Sequence, residues 1–154
     1  MKEAYLQAQQ FLNDIFRLAR FDLNAEAGEG ENGCVLNIDG TDSPLLRSEG
    51  GELLDALEHF VNQSFGRDLP EGERFICDVD SFRAMRETEL RAMARHAAER
   101  VRSTGLPFIF GPMSASERRV IHLTLADEDN IFTESVCEGN ARRLKVTLKT
   151  SSKN

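Results

Sequence analysis

The sequence predicts a mixed α+β chain of two small units, the first ordered α-β-β-α-α-β and the second α-β-α-β-β. Three observations predict it: apolar residues at helical spacing in 3–20, 52–65 and 81–103, short β-patterned runs such as 34–39 and 74–79, and a charge balance that changes sign near residue 80.

In residues 3–20, Tyr5, Leu6, Phe11, Leu12, Ile15, Phe16 and Ala19 recur at helical spacing between polar residues, so this helix buries one face on a sheet. Residues 21–27 read as a strand, the glycine-rich 28–33 as a turn and 34–39 (CVLNID) as a second strand, and so short a connection makes a hairpin. Pro44 opens a short helix through Leu45 and Leu46, where its missing N–H is not needed. Ser48-Glu49-Gly50-Gly51 interrupts that helix before 52–65 resumes with Leu53, Leu54, Leu57, Phe60 and Val61. Residues 74–79 (RFICDV) form a third strand, and Asp80 stands where it can cap a helix over 81–103. Met85, Leu90, Met93, Ala97 and Val101 give that helix a core stripe, with Glu87/Arg91 and Arg95/Glu99 as i,i+4 pairs outside it. Gly105 ends it. A strand at 108–110, a turn at Gly111-Pro112, a helix over 114–126 and strands at 131–136 and 142–148 follow. Glu138-Gly139-Asn140 joins the last two, and 150–154 reads as a polar tail. The expected units are therefore 1–80 and 81–149, with 81–83 as the link.

Composition excludes several classes. No apolar run approaches the roughly 20 residues that cross a bilayer, and Met-Lys-Glu-Ala opens no signal-peptide pattern, so a cytoplasmic protein without membrane insertion is expected. Cys34, Cys77 and Cys137 are odd in number and far apart, which suits buried reduced thiols rather than a disulfide framework. His59, His96 and His122 have no partner at zinc-ligand spacing, and neither metal nor cofactor is expected. Asp78 and Asp80 alternate on a strand and in principle share a face for a divalent ion, but Asp80 serves more economically as a cap. No Ser-His-Asp, Cys-His or P-loop arrangement is present, so an enzyme is not expected.

The net charge of −7 conceals a split. Residues 1–80 hold 6 Lys/Arg against 17 Asp/Glu, a balance of −11, whereas 81–154 hold 13 against 9, a balance of +4. Only the second half attracts a phosphate backbone. There Arg118, Arg119 and His122 lie at i, i+1 and i+4 in SERRVIHL, toward one flank of a helix, while Val120, Leu123 and Ile121 are left to anchor it. Arg142, Arg143 and Lys145 lie on the last strand, where Arg143 and Lys145 share a face. If that strand edges the cationic helix, these groups converge. The competing structural reading is a solvated face paired with Glu117, Asp127 and Glu134.

From about residue 78 to 148, the text DVDSFR, RHAAERVRSTGLPFIFGPM, SERRVIHL, TESVCEGN and ARRLKV resembles the R-3-H domain of the Jag (SpoIIIJ-associated) family. The resemblance implies single-stranded nucleic-acid binding, with Arg118 and His122 as the Arg–His pair that gives the domain its name, Arg119 beside them and Arg142 and Arg143 on the basic strand. The first half resembles the KH domain that precedes R-3-H in this family, in type II order, with Ser48-Glu49-Gly50-Gly51 at its GxxG loop. Here the first glycine is Ser, and Glu49 repels an anion, so this clamp is degenerate. The further N-terminal Jag-N domain of many family members has no counterpart in the sequence.

The resemblance thus implies a non-catalytic protein that binds single-stranded RNA, or single-stranded DNA, in post-transcriptional control or cell-envelope and division physiology. The alternative is an adaptor whose acidic KH-like half docks a second KH protein or another copy of itself, with RNA contact minor.

Overall fold

The structure, a computed structural model, describes residues 2–139 and 141–150. Of the expected connections, Asn140 in the last turn and 151–154 in the tail lie outside the described residues. The chain divides into two compact units, Met1–Arg83 and Ala84–Asn154.

The first unit runs α1 (Glu3–Leu18), β1 (Asn24–Gly30), β2 (Gly33–Asp39), α2 (Ser43–Arg47), α3 (Glu52–Phe65) and β3 (Arg74–Val79). Its sheet is ordered β1-β2-β3, with β1 antiparallel and β3 parallel to β2. The expected order is present, but β1 starts three residues later than expected and continues to Gly30, leaving Glu31 and Asn32 as the hairpin connection. Gly33 makes this connection workable: at φ 126° any Cβ would lie 2.3 Å from the Arg74 carbonyl oxygen. Ala4, Tyr5, Ala8, Leu12 and Phe16 of α1 enter a core shared with Leu36, Ile38, Leu54, Val61, Phe75 and Val79. Leu6, expected in the buried stripe, is half exposed because the buried face follows Ala4, Ala8, Leu12 and Phe16 at i+4 spacing, which turns Leu6 aside.

Both edges of this sheet are closed by side chains. Asn13 of α1 receives the Ala25 N–H at 2.7 Å and donates to the Ala25 carbonyl at 3.0 Å, and Gln9 receives the Ala27 N–H at 2.8 Å. On the other edge, Asn62 of α3 does the same for Phe75, at 3.0 and 2.8 Å, and Glu58 receives the Cys77 N–H at 3.0 Å. Pairing the exposed ladder in this way removes a template for strand addition.

The second unit runs α4 (Phe82–Thr104, which starts at the end of the first unit), β4 (Phe108–Ile109), α5 (Ala115–Leu125), β5 (Ile131–Glu138) and β6 (Ala141–Leu148). Its sheet is ordered β4-β6-β5, antiparallel throughout, so the last strand lies at the centre. Leu90, Ala94, Ala97, Ala98 and Val101 of α4 form the core with Phe110, Ile121, Leu125, Ile131, Leu144 and Val146. Met85, expected in the α4 stripe, is exposed, since this helix joins its core only from Leu90 onward. No helix among the described residues is long and apolar enough to cross a membrane.

The approach to α4 corrects one expectation. Asp80 does not cap the helix: it and Ser81 adopt left-handed backbone, at φ 48° and 57°, and its carboxylate receives Arg47 Nη1 at 2.8 Å. The capping role falls to Asp78, whose Oδ1 receives the Arg83 N–H at 3.2 Å as well as the Val79 N–H at 2.9 Å. Arg83 then ties the first unit together, donating to the Cys77 carbonyl at 2.7 Å, to Asp55 at 2.8 Å and to Glu58 at 2.9 Å. Burial pulls its pKa down, but the charges of Glu58 and Asp55 outweigh this and hold the guanidinium above its ordinary value.

Cys34 and Cys77 are buried, and Cys137 is exposed. Burial pushes the Cys34 thiol up to about 11; burial and then the Glu58 charge push Cys77 up to about 12. In the unfolded chain both thiols ionise near their ordinary value of 9.0, so their contribution to stability is intact below that pH and is lost as pH rises toward 11 and 12. An aromatic disulfide reagent at neutral pH should therefore modify Cys137 rapidly and the other two only on unfolding, and denaturation midpoints should fall above pH 9. Rapid modification of all three thiols in the folded chain would contradict this burial.

Candidate nucleic-acid interface

Helix α5 is held in place from its first turn. Ser114 caps it by receiving the Glu117 N–H at 3.2 Å. Glu117 itself is only 7% exposed, and its carboxylate receives Arg86 Nε of α4 at 2.8 Å, while Arg86 also meets Glu89 at 3.2 Å. Burial lowers the Arg86 pKa, but its bonds to Glu117 and Glu89 prevail and leave it raised, so the guanidinium stays charged. Ile121 and Leu125 are buried beneath the helix and Val120 packs partly against the same core; Leu123, expected among the anchors, is exposed.

This rotation of α5 points Arg118, Arg119 and His122 into a hollow of about 340 Å³, completed by Ala115, by Thr133, Glu134 and Ser135 of β5, and by Leu144 of β6. Arg118 is half-buried, and its Nε and Nη1 are buried with no hydrogen-bond partner among the described residues. A buried, unsatisfied donor costs about 1–3 kcal/mol and more when charged. Arg119 and His122 are exposed. A hydrogen bond of 2.5 Å joins His122 Nδ1 and Thr133 Oγ1, which fixes the ring and leaves Nε2 as the nitrogen available to a ligand.

The expected convergence of the basic strand with this helix is not found. In β6, Leu144 and Val146 point into the core on the α5 side, so the alternation sends Arg143 and Lys145 to the opposite face. Arg142 shares the Leu144 face but lies beyond the lining of the hollow. The strand that edges α5 is β5, because β6 is central. Of the proposed acidic partners, Glu117 is occupied by Arg86, and Glu134 lies at the hollow on the strand position paired with Lys145. Thr133 and Ser135 escape the sequence reading, although the alternation of IFTESVCE puts them on one face with the buried Ile131.

Ser48, Glu49, Gly50 and Gly51 form the connection between α2 and α3, with Glu49, Gly50 and Gly51 at φ 53°, 66° and 84°. A Cβ on Gly51 would lie 2.7 Å from Phe82 Cε1. Arg47, the cation next to this loop, is paired with Asp80. Among the described residues no three His, Cys, Asp or Glu side chains are grouped to hold a metal ion.

Residues 88–148 match the R-3-H domain, so the second unit carries one. Over both units the chain is similar to the RNA-binding protein KhpB of Clostridium symbiosum, 27% identical over 149 residues, which is 96% of this chain and 67% of that protein. It is likewise similar to the RNA-binding protein KhpB of Bacillus subtilis strain 168, 28% identical over 93% of this chain and 70% of that protein. A third similarity, to KhpB of Lactiplantibacillus plantarum, is 28% identical over 78% of this chain and 37% of that protein.

Removing Arg86 tests how α5 is held. Arg86→Ala leaves the Glu117 carboxylate buried without its cation and should cost about 2–3 kcal/mol in denaturant unfolding, with Arg86→Lys recovering part of the loss. Unfolding curves indistinguishable from the unaltered chain would show that α5 does not depend on the pair.

Proposed function

We propose that this Jag-type chain is a regulatory RNA-binding protein that grips single-stranded RNA through the hollow between α5 and β5. The observation that carries the reading is Arg118, which lines the same hollow as Arg119 and His122 and has two buried nitrogens without a hydrogen-bond partner among the described residues. A guanidinium offers a planar fork that matches phosphate oxygens, and in this role Arg118 and Arg119 hold the backbone. His122, fixed by Thr133, donates to phosphate or ribose or stacks on a base. The task is binding and not turnover, with post-transcriptional control as its outcome.

The KH-like first unit contributes little RNA affinity on this reading. Its GxxG position presents Glu49, the neighbouring Arg47 is engaged by Asp80, and residues 1–80 carry a balance of −11. A second reading, in which this unit docks a protein, is favoured by Phe60 of α3, which is 60% exposed and stacked on Phe11 of α1 at 6.3 Å.

Titration with single-stranded RNA at two salt concentrations tests the proposal. Arg118→Gln should weaken binding and flatten the slope of log affinity against log salt by about 0.7, the contribution of one phosphate contact to a single strand. Thermal melting establishes that the variant is folded. Equal affinity and slope in the variant would refute the assignment.

A further inference from the structure

The outer face of the second sheet carries an assembly that the α5–β5 hollow does not use. Residues paired in register project to the same side, which places Ile109 of β4, Phe132 and Glu134 of β5, and Lys145 and Thr147 of β6 together on the face away from Leu144 and Val146. Phe132 is 49% exposed, so about half of its ring surface is not used by the core. With Leu148, Lys149 and Thr150, four of these residues (Phe132, Glu134, Lys145 and Thr147) line a hollow of about 580 Å³, larger than the first. Two ammonium groups there face one carboxylate, and among the described residues neither lysine makes an ion pair.

Strand β5 joins the two hollows. It is an outer strand of its sheet, its Thr133 and Ser135 line the first hollow, its Phe132 lines the second, and Glu134 lines both. An extended polyanion laid across this edge meets Arg118 and Arg119 on one side and Lys145 and Lys149 on the other. An exposed aromatic flanked by cations is what single-strand binders use, because every base has a face to stack and every linkage a charge to neutralise.

We propose that the outer face of β5 and β6 is a second subsite for the same RNA strand, in which a base stacks on Phe132 while Lys145 and Lys149 hold the flanking phosphates. The inference rests on reading the α5–β5 hollow as the first phosphate site. It explains why Lys145 of β6 points away from α5: it serves the strand after it has crossed the β5 edge.

The chain contains no tryptophan, so Phe132→Trp supplies a single fluorophore at the subsite. Its emission should be quenched by a single-stranded RNA of about twelve nucleotides and not by one of about three that fills only the first hollow. Phe132→Leu should weaken the longer RNA roughly tenfold to a hundredfold and leave the shorter unaffected. Joint Lys145→Gln and Lys149→Gln substitution should flatten the salt slope for the longer RNA by about 1.4. Arg118→Gln is measured alongside. If Arg118→Gln weakens binding while Phe132→Leu and the tryptophan emission show no response to RNA, the second subsite is overturned and the first reading stands. Failure of the unaltered chain to bind either RNA overturns both. Should Phe132→Leu melt early, the emission of the tryptophan variant decides alone.

Discussion

Because Glu117 lies buried against Arg86 of α4, the only acid on α5 is turned away from the two arginines that follow it, and Glu134 of β5 is the acid that shares their hollow. The same pair sets the rotation of α5. Once Glu117 faces α4, and Ile121 and Leu125 face the sheet, helical spacing leaves Arg118, Arg119 and His122 no direction except toward β5. One of these side chains reaches the hollow only by giving up solvent, and its nitrogens find no acceptor among the described residues. A site tolerates such a deficit when its ligand supplies the missing acceptors, and the fold makes the deficit permanent by locking the helix that bears it.

The first unit treats its polar groups in the opposite way. Gln9, Asn13, Glu58 and Asn62 are consumed in closing the sheet edges, Asp78 in capping, and Asp55 in holding Arg83. Even the loop at 48–51 has its adjacent cation neutralised. What remains at its surface is predominantly acidic. In the second unit polar chemistry also builds structure, at Ser114 and Glu117, but Arg118 keeps two buried nitrogens without a partner among the described residues.

The element order was legible because each segment carries its own period and its own stops: the glycine break at 48–51, the RFICDV strand, Gly105 after the long helix. The grouping of Arg118, Arg119 and His122 was legible for the same reason, since three residues on one short helix keep their spacing wherever the helix is packed. Which face of β6 meets α5 was not, because alternation identifies two faces without saying which one the core takes. That choice is made by Leu144 and Val146 through the strand order β4-β6-β5, a long-range property. The exchange of roles between Asp78 and Asp80 was hidden for a related reason. Both suit a cap, and only the left-handed turn at 80–81 decides between them.

The central position of β6 has a bearing on synthesis. Strands β4 and β5 each find their hydrogen-bonding neighbour in residues 141–148, so neither belongs to a sheet until those residues have left the ribosome. The first unit needs nothing beyond residue 83 to complete its own ladders. A nascent chain therefore presents a finished acidic unit while the second is still assembling, and the hollow beside α5 is complete only when Leu144 of β6 arrives.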